Sequence, residues 1–493
     1  MNTKMIRYIL GTIVKIEGAL LLLPCLIALI YREKEGFAYL IVALASLVLG
    51  FLASRKRPAD TVIYLKEGCI ATSLSWIILS IVGCLPFIIT GEIPSFTDAV
   101  FETVSGFTTT GSSILSNVEA LSYTSLLWRS FTHWIGGMGV LVFLLAIVPM
   151  NGGSNINLMR AESPGPSVGK LVPKLVHTAR ILYLIYFGLT LIQLALLLIG
   201  RMPVFDALCT SLGTAGTGGF GIKNDSMASY SPYIQWITTI FMILFGVNFN
   251  AYYFLLFRQV RKALAMEEVR TYFAIILISG AIIVADIWNR FDSFFEALRH
   301  SFFQVASIIT TTGFATADFD QWSQTSKIVL VFLMFCGACA GSTGGGLKVS
   351  RIVIAFKSAM REVGSYLRPK AMKKVHFEGK SLESDVIHSV NTYFITFLIL
   401  FVGSVFLLSF EGNDLVTNFT AVAATINNIG PGLNLVGPTA NFGHLSTLSK
   451  WVLIFDMLAG RLELFPMLIL FHPTLWKSYA KFTISKRRTK SKN

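Results

Sequence analysis

Ser105-Gly106-Phe107-Thr108-Thr109-Thr110-Gly111 is a short run of small and hydroxyl-bearing residues closed by glycine. The chain restates it three times, as Thr214-Ala215-Gly216-Thr217-Gly218-Gly219-Phe220, Ile308-Ile309-Thr310-Thr311-Thr312-Gly313-Phe314 and Thr425-Ile426-Asn427-Asn428-Ile429-Gly430-Pro431. With Gly111, Gly218, Gly313 and Gly430 as anchors, the copies are 107, 95 and 117 residues apart. Each copy follows a half-apolar stretch too short to cross a bilayer, at 97–107, 205–214, 295–309 and 415–426. A half-length helix that runs into irregular, glycine-bearing backbone reads as a re-entrant hairpin. Such backbone is tolerated at membrane depth only where it is buried in protein or lines water. Four hairpins in register imply four walls of one opening.

The composition supports a bilayer setting. Of 493 residues, 54% are hydrophobic and 14% charged, with a mean hydropathy of +0.65, whereas a soluble chain carries about 25% charge. Ten apolar spans have crossing length: 8–30, 37–54, 69–90, 125–149, 180–200, 233–257, 271–288, 326–350, 387–409 and 450–475. The first span begins like a signal peptide, but Lys15 and Glu17 interrupt it and no small-residue cleavage site follows, so it is read as a retained helix. The six cysteines lie mostly in or beside apolar spans and form no disulfide framework. The expected fold is an all-α polytopic membrane protein. It has four pseudo-repeats of membrane helix, pore helix, filter loop and membrane helix around one pore, plus two extra N-terminal helices. The expected units are 1–60 for the added pair, then 61–155, 156–262, 263–365 and 366–493, the last with a basic tail.

Charge orients the chain. The formal net charge is +14, and alternating the ten spans gathers 29 of 41 basic residues into one set of loops and the two termini. The other set holds the four phrases. The positive-inside rule puts both termini in the cytoplasm and the phrases on the outer side. The basic excess is thereby read as a topology signal and not as a nucleic-acid surface. The 368–380 loop and the tail remain a docking surface for an acidic partner or anionic lipid.

A cation enters hydrocarbon only if something replaces its water, and rings of backbone carbonyls do so. Glycine permits the backbone conformations required, and the C-terminal end of each half-helix directs partial negative charge toward the ion. The residues assigned to cation coordination are Thr108, Thr109, Thr110 and Gly111; Ala215, Gly216, Thr217 and Gly218; Thr310, Thr311, Thr312 and Gly313; and Asn427, Asn428, Ile429 and Gly430. Small residues also form helix-packing seams, but a seam does not explain four copies in register. Other motifs fail on context. Gly216–Gly221 satisfies G-x-G-x-x-G without a β-α-β unit, and Trp236 stands where a ribose-binding acid is needed. Gly341–Lys348 resembles a phosphate loop, but Leu347 separates its last glycine from the lysine. Cys336-Gly337-Ala338-Cys339 has redox spacing but reads as small-residue packing in an apolar span. His133 is read as a helix-packing or vestibule residue, and no nucleophile–base pair suggests an enzyme.

These phrases, with Ser307–Asp318, Asn427–Gly432, Cys339–Lys348 and Gly460-Arg461-Leu462-Glu463-Leu464-Phe465, resemble the Trk/Ktr/HKT superfamily of cation channels and transporters, in its TrkH/TrkG branch. The likeness covers nearly the whole chain, and the two added N-terminal spans fit TrkH better than KtrB. It implies a pseudo-fourfold pore in the bacterial cytoplasmic membrane, K⁺ as the transported ion and no cofactor bound by this chain. It also implies a homodimer and a cytoplasmic TrkA-type regulatory subunit that binds NAD and ATP. A filter glycine in all four units goes with K⁺ preference. H⁺- or Na⁺-coupled symport, or a less selective K⁺/Na⁺ channel, remain as alternatives.

Two further features read as a gate. Five glycines fall between Cys336 and Ser350, and continuous helix is disfavoured there at about 1 kcal/mol per glycine relative to alanine. The resemblance implies an intramembrane loop beneath the filter, with Gly341, Gly344, Gly345, Gly346 and Lys348 in it. In the last span, Asp456 and Glu463 are expected to share one helix face. Arg461 points away from both, toward the pore, so that the loop and Arg461 make one constriction.

Overall fold

Proline, glycine and serine punctuation accounts for where the helices start and stop. The computed structural model describes residues 2–60, 62–137, 139, 175–367, 374–473 and 475. Helices Thr3–Leu20 and Leu22–Tyr31 run as one N-terminal span. The break at Leu21 falls three residues before Pro24, which has no amide to donate to the carbonyl one turn back. Gly36–Ser54 returns beside it. A Cβ on Gly50 would lie 2.7 Å from the Gly11 carbonyl oxygen, so the two backbones touch as small-residue seams allow. The pair rests on the first repeat: the Glu33 carboxylate accepts the Tyr123 and Thr124 amides at 2.8 and 2.9 Å, capping the helix that starts there.

Each of the four repeats has an outer helix, a pore helix and an inner helix. The outer helices are Leu65–Thr90, Leu175–Ile199, Glu267–Ile287 and Ser384–Ser409. The pore helices are Phe96–Phe107, Val204–Gly216, Phe294–Ile309 and Leu415–Ile426. Three of these start at a side-chain cap, with Ser95, Ser293 and Asp414 accepting the amides of Asp98, Glu296 and Thr417. Their buried hydroxyls fold back onto their own helix: Thr103 donates to the Ala99 carbonyl, Ser211 to Ala207 and Thr425 to Ala421. This satisfies those donors in an apolar setting, whereas the buried Ser105 and Ser301 hydroxyls have no hydrogen-bond partner among the described residues. The inner helices are Tyr123–Gly137, Pro232–Phe245, Gln324–Cys336 and Thr447–Arg461. Leu184, Leu277, Ile278, Ile395 and Ile399 on the outer helices are exposed, as lipid-facing side chains are.

Among the described residues six helices are long and apolar enough to cross a membrane: the N-terminal pair and the four outer helices. The expected spans 233–257, 326–350 and 450–475 are each broken. The second inner helix turns by 91° between Phe245 and Phe249. The third stops at Cys336 and resumes as Val349–Leu367 after a twelve-residue glycine-rich loop. The fourth stops at Arg461 and resumes as Phe465–Ile469. There Glu463 and Leu464 both take left-handed backbone, and Pro466 supplies no amide for a continuous helix. Glu463 therefore lies outside the helix and shares no face with Asp456, contrary to the sequence reading. The remainder of the expected span 125–149 beyond Gly137, Gly139 excepted, lies outside the described residues.

A two-stranded hairpin, His376–Phe377 with Lys380–Ser381, is the one sheet among the described residues. Its Val375, Phe377 and Leu382 pack with Ile354, Ile387 and Val390 into a small satellite core.

Candidate functional site

The pore helices of the first, third and fourth repeats end alike. Thr108, Thr310 and Asn427 keep right-handed backbone, and the next residue, Thr109, Thr311 or Asn428, turns left-handed. Two residues later Gly111, Gly313 and Gly430 have φ of 82°, 88° and 106°. In the second repeat the left-handed residues are Thr217 and Gly219. The register of that phrase is thus Gly216-Thr217-Gly218-Gly219, one residue later than the sequence reading. Gly219, not Gly218, is the counterpart of Gly111, and Ala215 stays in the pore helix.

Close approaches between the phrases close them into a ring. A Cβ on Gly111 would lie 2.0 Å from the carbonyl oxygen of Gly218. One on Gly219 would lie 1.9 Å from Thr312 O, one on Gly313 2.2 Å from Ile429 O, and one on Gly430 2.9 Å from Thr110 O. Each glycine abuts the residue that precedes the next repeat's glycine, and the fourth returns to the first. The glycines are needed for space as well as for φ. All four line one open vestibule, together with Ser112, Ser113, Asn224 and Pro431. The ring offers carbonyl oxygens from four chain segments. It also receives the C-terminal ends of four short helices, whose partial negative charge favours a cation.

A buried network fixes the first two phrases. Arg129, on the first inner helix, pairs with Glu102 of the first pore helix at 2.8 Å, both almost fully buried. Glu102 also accepts the Ile114 amide at 3.0 Å and the Ser113 hydroxyl at 3.0 and 3.1 Å. Arg129 donates to the Gly221 carbonyl at 3.2 Å and covers the Phe220 ring at 4.1 Å. Sequence reasoning passed over this pair, although a charge inside an apolar span signals a functional environment.

The glycine loop of the third repeat sits against the ring. The Gly345 amide donates to the Thr311 hydroxyl at 2.6 Å, and a Cβ on Gly345 would meet Asn427 O at 2.6 Å. A Cβ on Gly344 would lie 2.9 Å from Thr310 O. Gly341 and Gly346 have left-handed backbone, with Gly341 beside Asn248 and away from the phrases. The Lys348 ammonium folds back onto the Gly344 carbonyl. The loop is also tied to the break in the second inner helix: the Cys339 amide donates to Gly246 O at 3.1 Å and the Phe249 amide to Gly341 O at 3.0 Å. Glu268, at the start of the third outer helix, clasps both ends. It accepts the Ala340 amide at 2.6 Å, the Ser350 amide at 3.1 Å and the Asn248 side chain at 3.2 Å. Glu268 was missed; the adjacent carboxylates Glu267 and Glu268 bordering an apolar span were the available signal.

Arg461 lies where three repeats meet. Its guanidinium donates to the Thr343 carbonyl of the loop at 2.9 Å, and to Gly136 O and Gly137 O of the first inner helix at 2.5 and 2.8 Å. The neighbouring Glu463 pairs with Arg351, just past the loop, and Arg351 stacks over Tyr393 at 4.1 Å. Asp456 accepts from Ser404 of the fourth outer helix at 2.8 Å.

The sequence profile of the TrkH cation transport proteins matches residues 35–478. The chain belongs to that family. It is 36% identical over 487 residues to the Trk system potassium uptake protein TrkH of Salmonella typhimurium, covering 97% of this chain and all of that one. To the Trk system potassium uptake protein TrkG of Escherichia coli it is 32% identical over 490 residues, with the same coverage. The crystal structure of the potassium transporter TrkH from Vibrio parahaemolyticus superposes with a TM-score of 0.86 at 33% identity, over 97% of this chain and all of that one. Family membership makes the chain a multi-pass membrane transport protein and not an enzyme.

Proposed function

We propose that the chain carries K⁺ into the bacterial cell across the cytoplasmic membrane, with both termini in the cytoplasm, through the four-phrase ring. The observation that carries this reading is the cyclic abutment of Gly111, Gly219, Gly313 and Gly430 on the carbonyls of Gly218, Thr312, Ile429 and Thr110. A dehydrated cation loses water oxygens and gains carbonyl oxygens held at fixed spacing by that contact. Thr108–Thr110, Thr310–Thr312, Thr217, Asn427 and Asn428 hold the carbonyls, through hydroxyl pairs such as Thr108 with Thr110 at 2.8 Å and Thr310 with Thr312 at 2.7 Å.

Below the ring, the loop from Gly341 to Lys348 and Arg461 form one barrier. Ion passage requires the Gly345–Thr311 hydrogen bond and the Arg461 hydrogen bonds to Thr343, Gly136 and Gly137 to give way together. A cytoplasmic subunit of the TrkA type, docked on the basic 351–386 region of a homodimer, would shift that balance. The hairpin is placed to transmit it, since the Glu378 carboxylate accepts the amide of Glu268, which clasps the loop.

The deciding experiment is expression in a strain without K⁺ uptake systems. Growth at low K⁺ is expected, and no growth with the protein present in the membrane sinks the reading. In liposomes, Arg461→Ala is expected to raise basal K⁺ flux. Proton coupling is a second reading, favoured by Glu17, whose buried carboxyl finds no hydrogen-bond partner among the described residues. A reversal potential that follows the proton gradient would select it.

A further inference from the structure

We propose that His133 is a specificity-determining positioning residue, its ring replacing the side chain that the second phrase lacks; this rests on reading the four phrases as the ion filter. The four inner helices align on their caps. Ser122, Ser231, Ser323 and Ser446 each accept the amide three residues on, at 3.2, 3.5, 3.3 and 3.3 Å. Eleven residues beyond each serine stand His133, Met242, Met334 and Met457, all fully buried. One repeat alone has an imidazole where the others have a thioether.

The same repeat pair carries the other irregularity. Gly218 occupies the register of Thr110, Thr312 and Ile429, which all have side chains. A Cβ on Gly218 would lie 2.1 Å from His133 Cγ and 2.2 Å from Nδ1, and one on Gly216 would lie 2.2 Å from the His133 carbonyl oxygen. The second phrase is rich in small residues because the first inner helix and its histidine fill that space. In the first and third phrases the threonine at this register braces its own repeat by pairing with the hydroxyl two residues earlier. In the second phrase the brace comes from outside.

That brace is directional. His133 Nδ1 lies 2.7 Å from the Gly106 carbonyl, which only accepts, so Nδ1 carries the hydrogen. Nε2 then presents its lone pair to the Phe220 amide at 3.2 Å. The Phe220 ring lies over the imidazole with 4.3 Å between centroids. One neutral ring thereby links the end of the first pore helix to the residue just after Gly219. Methionine at this position fills similar volume but supplies neither hydrogen bond.

The test is a cycle of His133→Met, Gly218→Thr and the double variant, purified into liposomes, with K⁺/Na⁺ permeability ratios from reversal potentials and melting temperatures in parallel. His133→Met is expected to lower the ratio by about tenfold, which is the factor that about 1.4 kcal/mol between the two ions carries. Gly218→Thr alone, driven into the ring, is expected to be more damaging than the double variant, which restores the pattern of the other repeats. His133→Gln, whose amide can donate to Gly106 and accept from Phe220, is expected to fall between, and serves if the methionine variant does not fold. An unchanged ratio in the His133 variants, while Gly313→Ala lowers it, overturns the proposal and leaves the filter reading standing. A fall in melting temperature with the ratio intact likewise overturns it, reducing His133 to packing. If Gly313→Ala also leaves the ratio unchanged, the filter reading falls and this proposal with it.

Discussion

Glu268→Gln tests whether the glycine loop is held shut by the carboxylate that clasps it. One carboxylate oxygen takes both backbone amides, Ala340 at 2.6 Å and Ser350 at 3.1 Å, and the other takes the Asn248 side chain. Glutamine keeps an oxygen for the two amides but without the negative charge, which roughly halves the strength of such bonds. Its amide then faces the Asn248 amide, donor against donor. Asn248 can turn over only by giving up the Asn250 amide that its oxygen accepts at 3.0 Å. Bonds to a charged acceptor contribute about 1.5–3 kcal/mol each against about 0.5–1.5 for neutral ones, so the closed loop loses about 2 kcal/mol or more. If these bonds are absent when the loop moves aside, the open population rises about thirtyfold. The assay is ⁸⁶Rb⁺ uptake into liposomes holding the purified protein without any cytoplasmic partner. Basal flux is expected to rise steeply while the K⁺/Na⁺ ratio stays, because the clasp lies below the ring. Flux at the wild-type level, from a monodisperse variant with a lowered melting temperature, would refute the reasoning: the clasp would then be structural and the barrier elsewhere.

Gly219→Ala is expected to abolish K⁺ preference in reversal-potential measurements, since its Cβ would collide with Thr312 O. Gly91→Ala, with φ of 78° and nothing within 4 Å, is expected to cost about 1–2 kcal/mol of stability and leave ion preference alone. Arg129→Met strands the Glu102 carboxylate in the core and is expected to cost about 3–5 kcal/mol, with recovery on adding Glu102→Gln, as thermal unfolding in detergent would show. Asp414 caps the fourth pore helix, and the Thr417 hydroxyl that donates to it holds its carboxyl below the usual aspartate range. Its contribution is therefore present at neutral pH and lost as pH falls through that lowered value, so the melting-temperature gap between wild type and Asp414→Asn closes under acid.

The reach of the sequence depends on what repeats and what does not. Short helices that run into Thr/Gly phrases, four times over, are a local pattern and were legible, as were the glycines of the 337–348 loop. The register of the second phrase was not. Gly216, Gly218 and Gly219 are equivalent on paper, and only the His133 ring and the Thr312 carbonyl tell them apart. The break at Leu462–Leu464 was hidden because two left-handed non-glycine residues have no compositional mark, and Pro466 alone announced it. Arg461 was assigned its direction from an ideal helix, yet its partners lie on the loop and on the first repeat, contacts no periodicity encodes. Glu102, Arg129 and Glu268 were passed over although they are charges in or beside apolar spans, and nothing in the linear order names their partners.

The glycine-to-carbonyl contacts run one way round: first repeat onto second, second onto third, third onto fourth, fourth onto first. The ring therefore has a sense of rotation, and damage travels with it. A side chain added at one glycine displaces an oxygen belonging to the next repeat and leaves its own in place. Altering Gly219 thus displaces a carbonyl of the third repeat, and a compensating change is to be sought at Thr312. By this geometry the four segments are not independent, and each is held in place by the neighbour it presses on.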